Sequence, residues 1–293
     1  MPVPDPSADL DGWSQRHTHH WTDWPLEALT AAKGDRVVSL VVPARNEAAT
    51  VGDVVVKVRD ALVETVELVD EVVVIDSDST DETYAVAADA GATVHRSAEI
   101  RPDLGSRPGK GEAMWKSLFV TRGELIVFMD ADLVDWDTHF VPGLLGPLLT
   151  DPGVELVKGF YERPLLAGDT AVPLEGGRVT ELVARPLIRL LFPELGGLHQ
   201  PLAGEWAVRR SLFASLPVPH EYAVELAALV DTVRARGLDA IAQVDLGVRA
   251  HRHQSLRDLS GMATQILAAA LARSGTGPAV EERPPASSVG EAP

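Results

Sequence analysis

The chain has 293 residues, 45% of them hydrophobic and 24% charged, enough to bury one large core or two small ones. Cysteine is absent, which excludes disulfides and thiolate metal sites and makes a cytoplasmic location the expectation. With 26 Lys and Arg against 43 Asp and Glu the formal charge is −17, which argues against general nucleic-acid binding; any anionic ligand must be drawn in by a metal ion or a local knot of basic side chains.

No apolar stretch is long enough to cross a bilayer, and the opening MPVPDPSADLDGW lacks the basic and apolar blocks of a signal peptide. Residues 1–35 read as an extension laid on the domain, with Trp21, Trp24 and Leu26 as packing residues. No chemistry is assigned to His17, His19 or His20.

Regular patterning begins at Arg36. Arg36 to Val42 (RVVSLVV) is a continuous β-branched run of the kind found in a parallel strand covered on both faces. It breaks at Pro43, and an apolar-periodic segment from Thr50 to Leu62 reads as a helix. The turn PARNE thus falls at the carboxyl edge of a strand, where α/β sheets bind ligands, and is a candidate nucleotide contact. Glu71 to Ile75 is a second strand, followed by DSDSTDET. Helix capping accounts for Ser79, Thr80 and Asp81, and leaves Asp76 and Ser77 at the same sheet edge. Ala92 to Val94 reads as a further strand.

The segment RPDLGSRPGKGEAMWKSL invites two phosphate-loop comparisons, and both fail. Gly105 to Gly111 is one residue short of a Walker loop, with Gly111 where Ser or Thr would hold Mg²⁺; a dinucleotide fingerprint from Gly109 lacks its third glycine at Met114. What remains is a loop leading into a helix over Glu112–Val120, with Lys110 at its positive end. That Lys is suited to a phosphate or a sugar hydroxyl, or is simply solvated.

The run Leu125–Met129 reads as a buried strand that ends in Asp130 and Asp132. Alternate strand residues share a face, so both carboxylates can be aimed at one spot. Paired hard oxygen ligands suit Mg²⁺ or Mn²⁺, and such a cation suits a diphosphate. An isolated Asp-x-Asp more often just ends a strand, so the motif needs support from elsewhere.

Glu155 to Phe160 reads as another strand, and Glu162–Gly177, rich in Pro and Gly, as an ordered loop or lid. Gly176 and Gly177 then lead into a helix striped by Val179, Leu182, Val183, Leu187 and Leu190, kinked at Pro186. Its free N–H groups, its dipole, Arg178 and the Thr180 hydroxyl together form a candidate anion site. LHQPLAGEWAVRR reads as loop and strand. Glu221–Val233 reads as a helix with Glu225 near its start, placed to receive sugar hydroxyls if it faces inward. Ala240 to Val244 is the last strand, followed by His251, Arg252 and His253. Residues 258–273 form an amphipathic helix, and residues 274–293, full of Pro, Ser, Gly and Glu, are expected to be disordered.

From about Trp21 to Ala272 the chain resembles the actinobacterial retaining GT-A glycosyltransferases that make glucosyl-3-phosphoglycerate, a family that also includes mannosyl-3-phosphoglycerate synthases. The resemblance rests on VSLVVPARNEAATVG, DSDSTDET, RPGKGEAMWKSL, VFMDADL, VPGLLGPLL, ELVKGFYERPL, GGRVTELVARPL and LDAIAQVDLGVRAHRH, in that order. It implies an α/β GT-A fold with a mostly parallel central sheet flanked by helices. Residues 36–135 would form a Rossmann-like nucleotide-sugar half and 136–273 an acceptor half of a single catalytic domain.

The resemblance also implies roles. Pro43, Arg45, Asn46 and Glu47 would line the nucleotide pocket, and Ser77, Asp130 and Ala131 the uridine and ribose. Asp132 and His251 would ligate a divalent Mg²⁺ or Mn²⁺. Lys110 and Glu225 would hold the sugar and donor phosphates, near Tyr222, with Arg249 and Arg252 in the donor loop. Gly177, Arg178, Val179, Thr180 and His253 would bind 3-phosphoglycerate. Lys110, Asp132, Glu225 and Arg252 carry the catalysis on this reading. Arg45, Ala131 and His253 depart from the family, where an apolar residue, Ser and Asn are expected.

The activity so implied is transfer of glucose from UDP-glucose to the C2 hydroxyl of 3-phosphoglycerate by a homodimer with no membrane span. Retention fits front-face attack, with the leaving phosphate accepting the proton, since no side chain is an evident covalent nucleophile. Two alternatives stay open: mannosyl transfer from GDP-mannose, and a nucleotide-sugar-binding protein without turnover, against which the pair Asp132 and His251 argues.

Overall fold

The computed structural model describes residues 10–167, 170–174, 177–249 and 256–290. Its centre is a nine-stranded sheet. The strands are β1 (Thr18–His20), β2 (Val38–Ala44), β3 (Glu71–Asp76), β4 (Thr93–Arg96), β5 (Leu125–Phe128), β6 (Leu156–Ala167), β7 (Thr170–Leu174), β8 (Trp206–Arg209) and, after the short β9 (Val218–Pro219), β10 (Ile241–Val248). The path runs β1-β10-β6-β8-β5-β2-β3-β4, with β7 paired to β6. Pairing is parallel except where β8 lies antiparallel between β5 and β6, and where β7 folds back on β6. The expected mostly parallel sheet is therefore present, with helices on both faces.

Strand alternation sorts the core into two layers. Leu40 and Val42, Val72 and Val74, Leu125 and Val127 face one way, onto α2 (Leu26–Lys33), α3 (Val51–Val58) and α6 (Phe140–Thr150). Val41, Val73 and Ile75, Ile126 and Phe128 face the other, onto α5 (Lys110–Ser117), α9 (Val224–Arg236) and α10 (Leu256–Ser274). Both faces are covered, which is why these strands are continuous apolar runs. No described helix is long and apolar enough to cross a membrane.

Four expectations are corrected. The N-terminal segment belongs to the sheet: after α1 (Leu10–His17), β1 pairs in parallel with β10, Thr18 opposite Gln243, and the buried Trp13 donates its indole N–H to Leu238 O at 3.2 Å. Trp21 and Trp24 pack on the core as expected, whereas Leu26 is exposed. The segment read as a loop or lid contains strands, with Arg163 opposite Leu174. Alternation of Pro and Gly with apolar residues hid that pairing, since edge strands tolerate Pro.

Pro186 does stand inside a running helix: the backbone is helical without a break from Arg178 to Leu191, and a π-helical turn at Thr180–Ala184 precedes the Pro in α7 (Arg185–Leu191), the kind of local widening that accommodates its missing N–H. Finally, residues 275–290 of the tail expected to be disordered are laid against the domain. β11 (Glu282–Arg283) pairs antiparallel with β9, and Trp115 donates Nε1–H to Pro284 O at 2.9 Å. Composition shows that the tail cannot build a core of its own; it is ordered by partners supplied elsewhere.

Candidate active site

The carboxyl ends of β2 and β3 carry two turns laced to each other. Asn46 adopts a left-handed backbone, φ 58°, which Asn tolerates. Its N–H donates to Ser79 Oγ at 2.9 Å and its Oδ1 accepts from Thr80 N–H at 2.8 Å. Glu47 N–H donates to Thr83 Oγ1 at 2.8 Å, and Ser77 N–H to Ala44 O at 2.9 Å. Asp76 is buried and accepts Ser79 N–H at 3.2 Å, so it supports the loop. Pro43, Arg45, Asn46, Glu47 and Ser77 are left half-buried or exposed at this edge.

Gly109 and Gly111 are not a phosphate cradle. A Cβ on Gly111 would lie 1.9 Å from Pro219 O, and one on Gly109, φ 125°, 2.3 Å from His220 O. The helical N–H groups of Gly111 and Glu112 donate to Glu221 O at 3.2 Å and His220 O at 2.8 Å. The glycines let two chain segments touch, and the helix start is satisfied by backbone.

That contact delivers Lys110. Its Nζ lies 2.7 Å from Asp130 Oδ1, just past β5, and 2.7 Å from Glu225 Oε1, in the first turn of α9. Burial works against its charge, but the two carboxylates outweigh it and hold Lys110 well above its ordinary pKa. The reading of Lys110 as a solvated side chain is excluded, and Glu225 is buried, not a surface residue. Tyr222 stands half-exposed three residues earlier, its N–H donating to Gln265 Oε1 at 3.1 Å.

Asp132 is partly open to solvent, 3.7 Å from Arg249 Nη2. Burial, then the charge of Asp130, push its carboxyl up. Burial and the neighbouring Asp130 disfavour negative charge on Asp132, which a divalent cation would relieve, so this residue fits a metal. Among the described residues no group of three or more His, Asp or Glu converges as a metal cluster. His251, Arg252 and His253 lie outside the described residues. Ala131 turns its side chain into the core beside Val127 and Met129, so only its backbone is left for a ligand.

Arg249, which the resemblance assigned to the donor loop, faces inward. It is 1% exposed, and its Nη1 donates to Glu205 Oε1 at 2.6 Å and Tyr161 OH at 2.8 Å. Tyr161 OH in turn donates to Glu205 Oε2 at 2.9 Å. Burial disfavours the Arg249 charge, but Glu205 and its neighbours outweigh that and raise its pKa. Arg249 thus fixes the wall behind Asp132.

Lys158, on β6, is buried over the ring of Trp206 and donates to Ala203 O; burial pulls its pKa down to about 8. Tyr161, Glu205 and Lys158 were not singled out from sequence. A Lys inside the apolar run ELVKGF was the available signal, because a buried ammonium needs partners.

In the segment read as a candidate anion site, Gly177 precedes a helical turn in which Arg178 is exposed, Val179 half-buried and Thr180 buried. Glu181 N–H donates to Gly177 O at 3.0 Å, and Arg185 pairs with Glu181 at 2.8 Å.

Residues 39–170 match the family model for glycosyl transferase family 2. The glucosyl-3-phosphoglycerate synthase of Mycolicibacterium smegmatis is 50% identical over 263 residues, covering 90% of this chain and 86% of that protein. That of Mycobacterium tuberculosis is 49% identical over 262 residues, covering 88% and 80%. The crystal structure of the Mycobacterium tuberculosis glucosyl-3-phosphoglycerate synthase matches with a TM-score of 0.84 at 43% sequence identity, over 92% of this chain and 98% of that one. The same enzyme in complex with Mn²⁺, UDP-glucose and phosphoglyceric acid also matches with a TM-score of 0.84, at the same identity and coverage. Sheet order, the acidic strand end and this similarity agree: the chain belongs to the glucosyl-3-phosphoglycerate synthase family of glycosyltransferases.

Proposed function

We propose that the protein transfers glucose from UDP-glucose to the C2 hydroxyl of 3-phosphoglycerate, with a divalent cation. The observation that carries this is the structural match, over 92% of this chain, to an enzyme crystallised with Mn²⁺, UDP-glucose and phosphoglyceric acid. The names and bound donors of the relatives favour glucose from UDP-glucose over mannose from GDP-mannose.

Residues 36–135 form the donor half on this reading, and 136–273 the acceptor half. Pro43, Arg45, Asn46, Glu47, Ser77, Asp130 and the backbone of Ala131 hold uridine and ribose. Asp132, with His251, holds the cation, Mn²⁺ or Mg²⁺, whose chemistry there is to neutralise charge on the donor diphosphate. An ammonium has three N–H donors; Lys110 gives two to Asp130 and Glu225, and the third suits a donor oxygen. Glu225 and Tyr222 orient the sugar, and Arg252 adds positive charge. Gly177, Arg178, Val179, Thr180 and His253 take the phosphate and carboxylate of the acceptor.

The anomeric carbon–oxygen bond breaks with its electron pair going to UDP, the acceptor C2 oxygen bonds to the same face of that carbon, and its proton passes to the departing phosphate. One opposite charge about 4 Å from the leaving group contributes roughly 4 kcal/mol at an effective dielectric near 20, so Lys110 and Arg252 matter even beside a metal.

A reaction that draws on nucleotide sugars and phosphoglycerate suits a cytoplasmic location. Leu182 and Leu190, 76% and 78% exposed and two helical turns apart, support a homodimer, to be checked by light scattering. The direct test incubates the purified protein with 3-phosphoglycerate, Mn²⁺ or Mg²⁺, and either UDP-glucose or GDP-mannose. Release of UDP with formation of the glucosylated acceptor is expected. Release of neither nucleotide, with donor still bound, would favour a binding protein without turnover.

A further inference from the structure

We infer that Arg283, in the C-terminal tail, is a positioning residue for Lys110, acting through Glu112. The inference rests on the donor-handling role proposed for Lys110. Glu112 lies two residues after Lys110 and is fully buried. Arg283 grips its carboxylate twice, Nε to Oε2 at 2.6 Å and Nη2 to Oε1 at 2.6 Å. The same guanidinium donates to Leu104 O at 2.8 Å and Gly105 O at 3.2 Å, and it lies 4.9 Å from the centre of the Trp115 ring. One side chain therefore ties together the start and the end of the loop from Leu104 to Glu112, and Lys110 is carried between those two anchors.

The clamp continues through the backbone. β11 is registered on β9, with Arg283 opposite Val218 and Glu282 opposite Pro219. Arg273 of α10 holds Glu282 at 2.8 Å. The carbonyls just after β9, His220 and Glu221, receive the N–H groups of Glu112 and Gly111. Glu112 also accepts Arg107 N–H at 3.2 Å, with Lys116 Nζ at 3.8 Å. A planar guanidinium with two parallel bonds to a carboxylate restricts orientation as well as distance, which a point charge does not. Small displacements of a group that meets the reacting bond cost rate steeply. A buried ion pair is in itself weak evidence of stabilisation, because an apolar pair of similar volume often serves as well. The geometry here specifies the path of a loop.

The test compares full-length Arg283→Met, Arg283→Lys, the double variant Glu112→Met with Arg283→Met, and Lys110→Met, measuring melting temperature and steady-state kinetics for both substrates. Arg283→Met is expected to lower kcat/KM for UDP-glucose about tenfold or more, with the KM for 3-phosphoglycerate within about twofold. Arg283→Lys should recover part of that loss. The double variant, freed of unpaired buried charge, should melt near the parent and still show the donor-side loss. If it regains both melting temperature and donor kinetics, Arg283 is only a structural prop and the inference is overturned. Should Arg283→Met fail to fold, Arg283→Lys decides: loss on the donor side supports positioning, and no loss or equal loss on both substrates overturns it. Normal transfer by Lys110→Met would instead overturn the role of Lys110, whatever Arg283 does.

Discussion

Gly204 runs so close to Asp130 that a Cβ built on it would lie 2.1 Å from Asp130 Oδ2. The carboxylate is held there by Lys110 at 2.7 Å, so it has little room to retreat. Gly204→Ala should push Asp130 off Lys110 and lower kcat/KM for UDP-glucose by about tenfold or more, with a modest loss of melting temperature. Donor kinetics equal to the parent would show that the Asp130 carboxylate can move without consequence.

Asp132→Ala should abolish metal-dependent transfer and leave the fold intact, because Asp132 is partly solvated and its nearest cation, Arg249, keeps Glu205. Circular dichroism and a Mn²⁺ titration of the transfer rate read the two halves of this statement. Retained Mn²⁺ dependence would remove Asp132 from the metal site.

Arg178→Ala should raise the KM for 3-phosphoglycerate by about tenfold and leave that for UDP-glucose within about twofold. The side chain is exposed on the turn read as the acceptor's anion site, so the fold should not suffer. Equal effects on both substrates would contradict that placement.

Arg249→Met should cost on the order of 3–5 kcal/mol of stability, since it leaves Glu205 buried with its charge uncompensated. Replacing Glu205 and Arg249 together should recover much of the melting temperature. Denaturant melts of the single and double variants make the comparison.

Lys158 carries a pH signature. Its pKa falls from an ordinary 10.5 to about 8 in the folded chain, so burying its charge costs on the order of 3 kcal/mol. The unfolded chain binds more protons than the folded one between those values. That cost is therefore fully present below pH 8 and is relieved as pH rises toward 10.5. Lys158→Met should melt higher than the parent at pH 7, with the gap narrowing above pH 8. A gap independent of pH would mean that Lys158 titrates in the fold as it does in the unfolded chain.

The apolar runs at Val38–Val42, Glu71–Ile75 and Leu125–Phe128, each ending in a polar turn, were enough to predict parallel strands, the ligand edge of the sheet and the Asp130–Asp132 pair, because burial on both faces is written locally as continuous hydrophobicity. The segments matched to known glycosyltransferases added the reaction. The carboxylates that fix Lys110 were not legible, since they stand 20 and 115 residues away. The same holds for Gly109 and Gly111, which look like a phosphate loop and instead admit the backbone of 219–221, and for the tail, whose Pro- and Glu-rich composition says disorder while Arg283 finds a buried carboxylate 171 residues earlier. Patterning reports how much of a segment must leave water. Which charge it meets once there depends on chain pairings between distant segments, and those exist only in the folded protein.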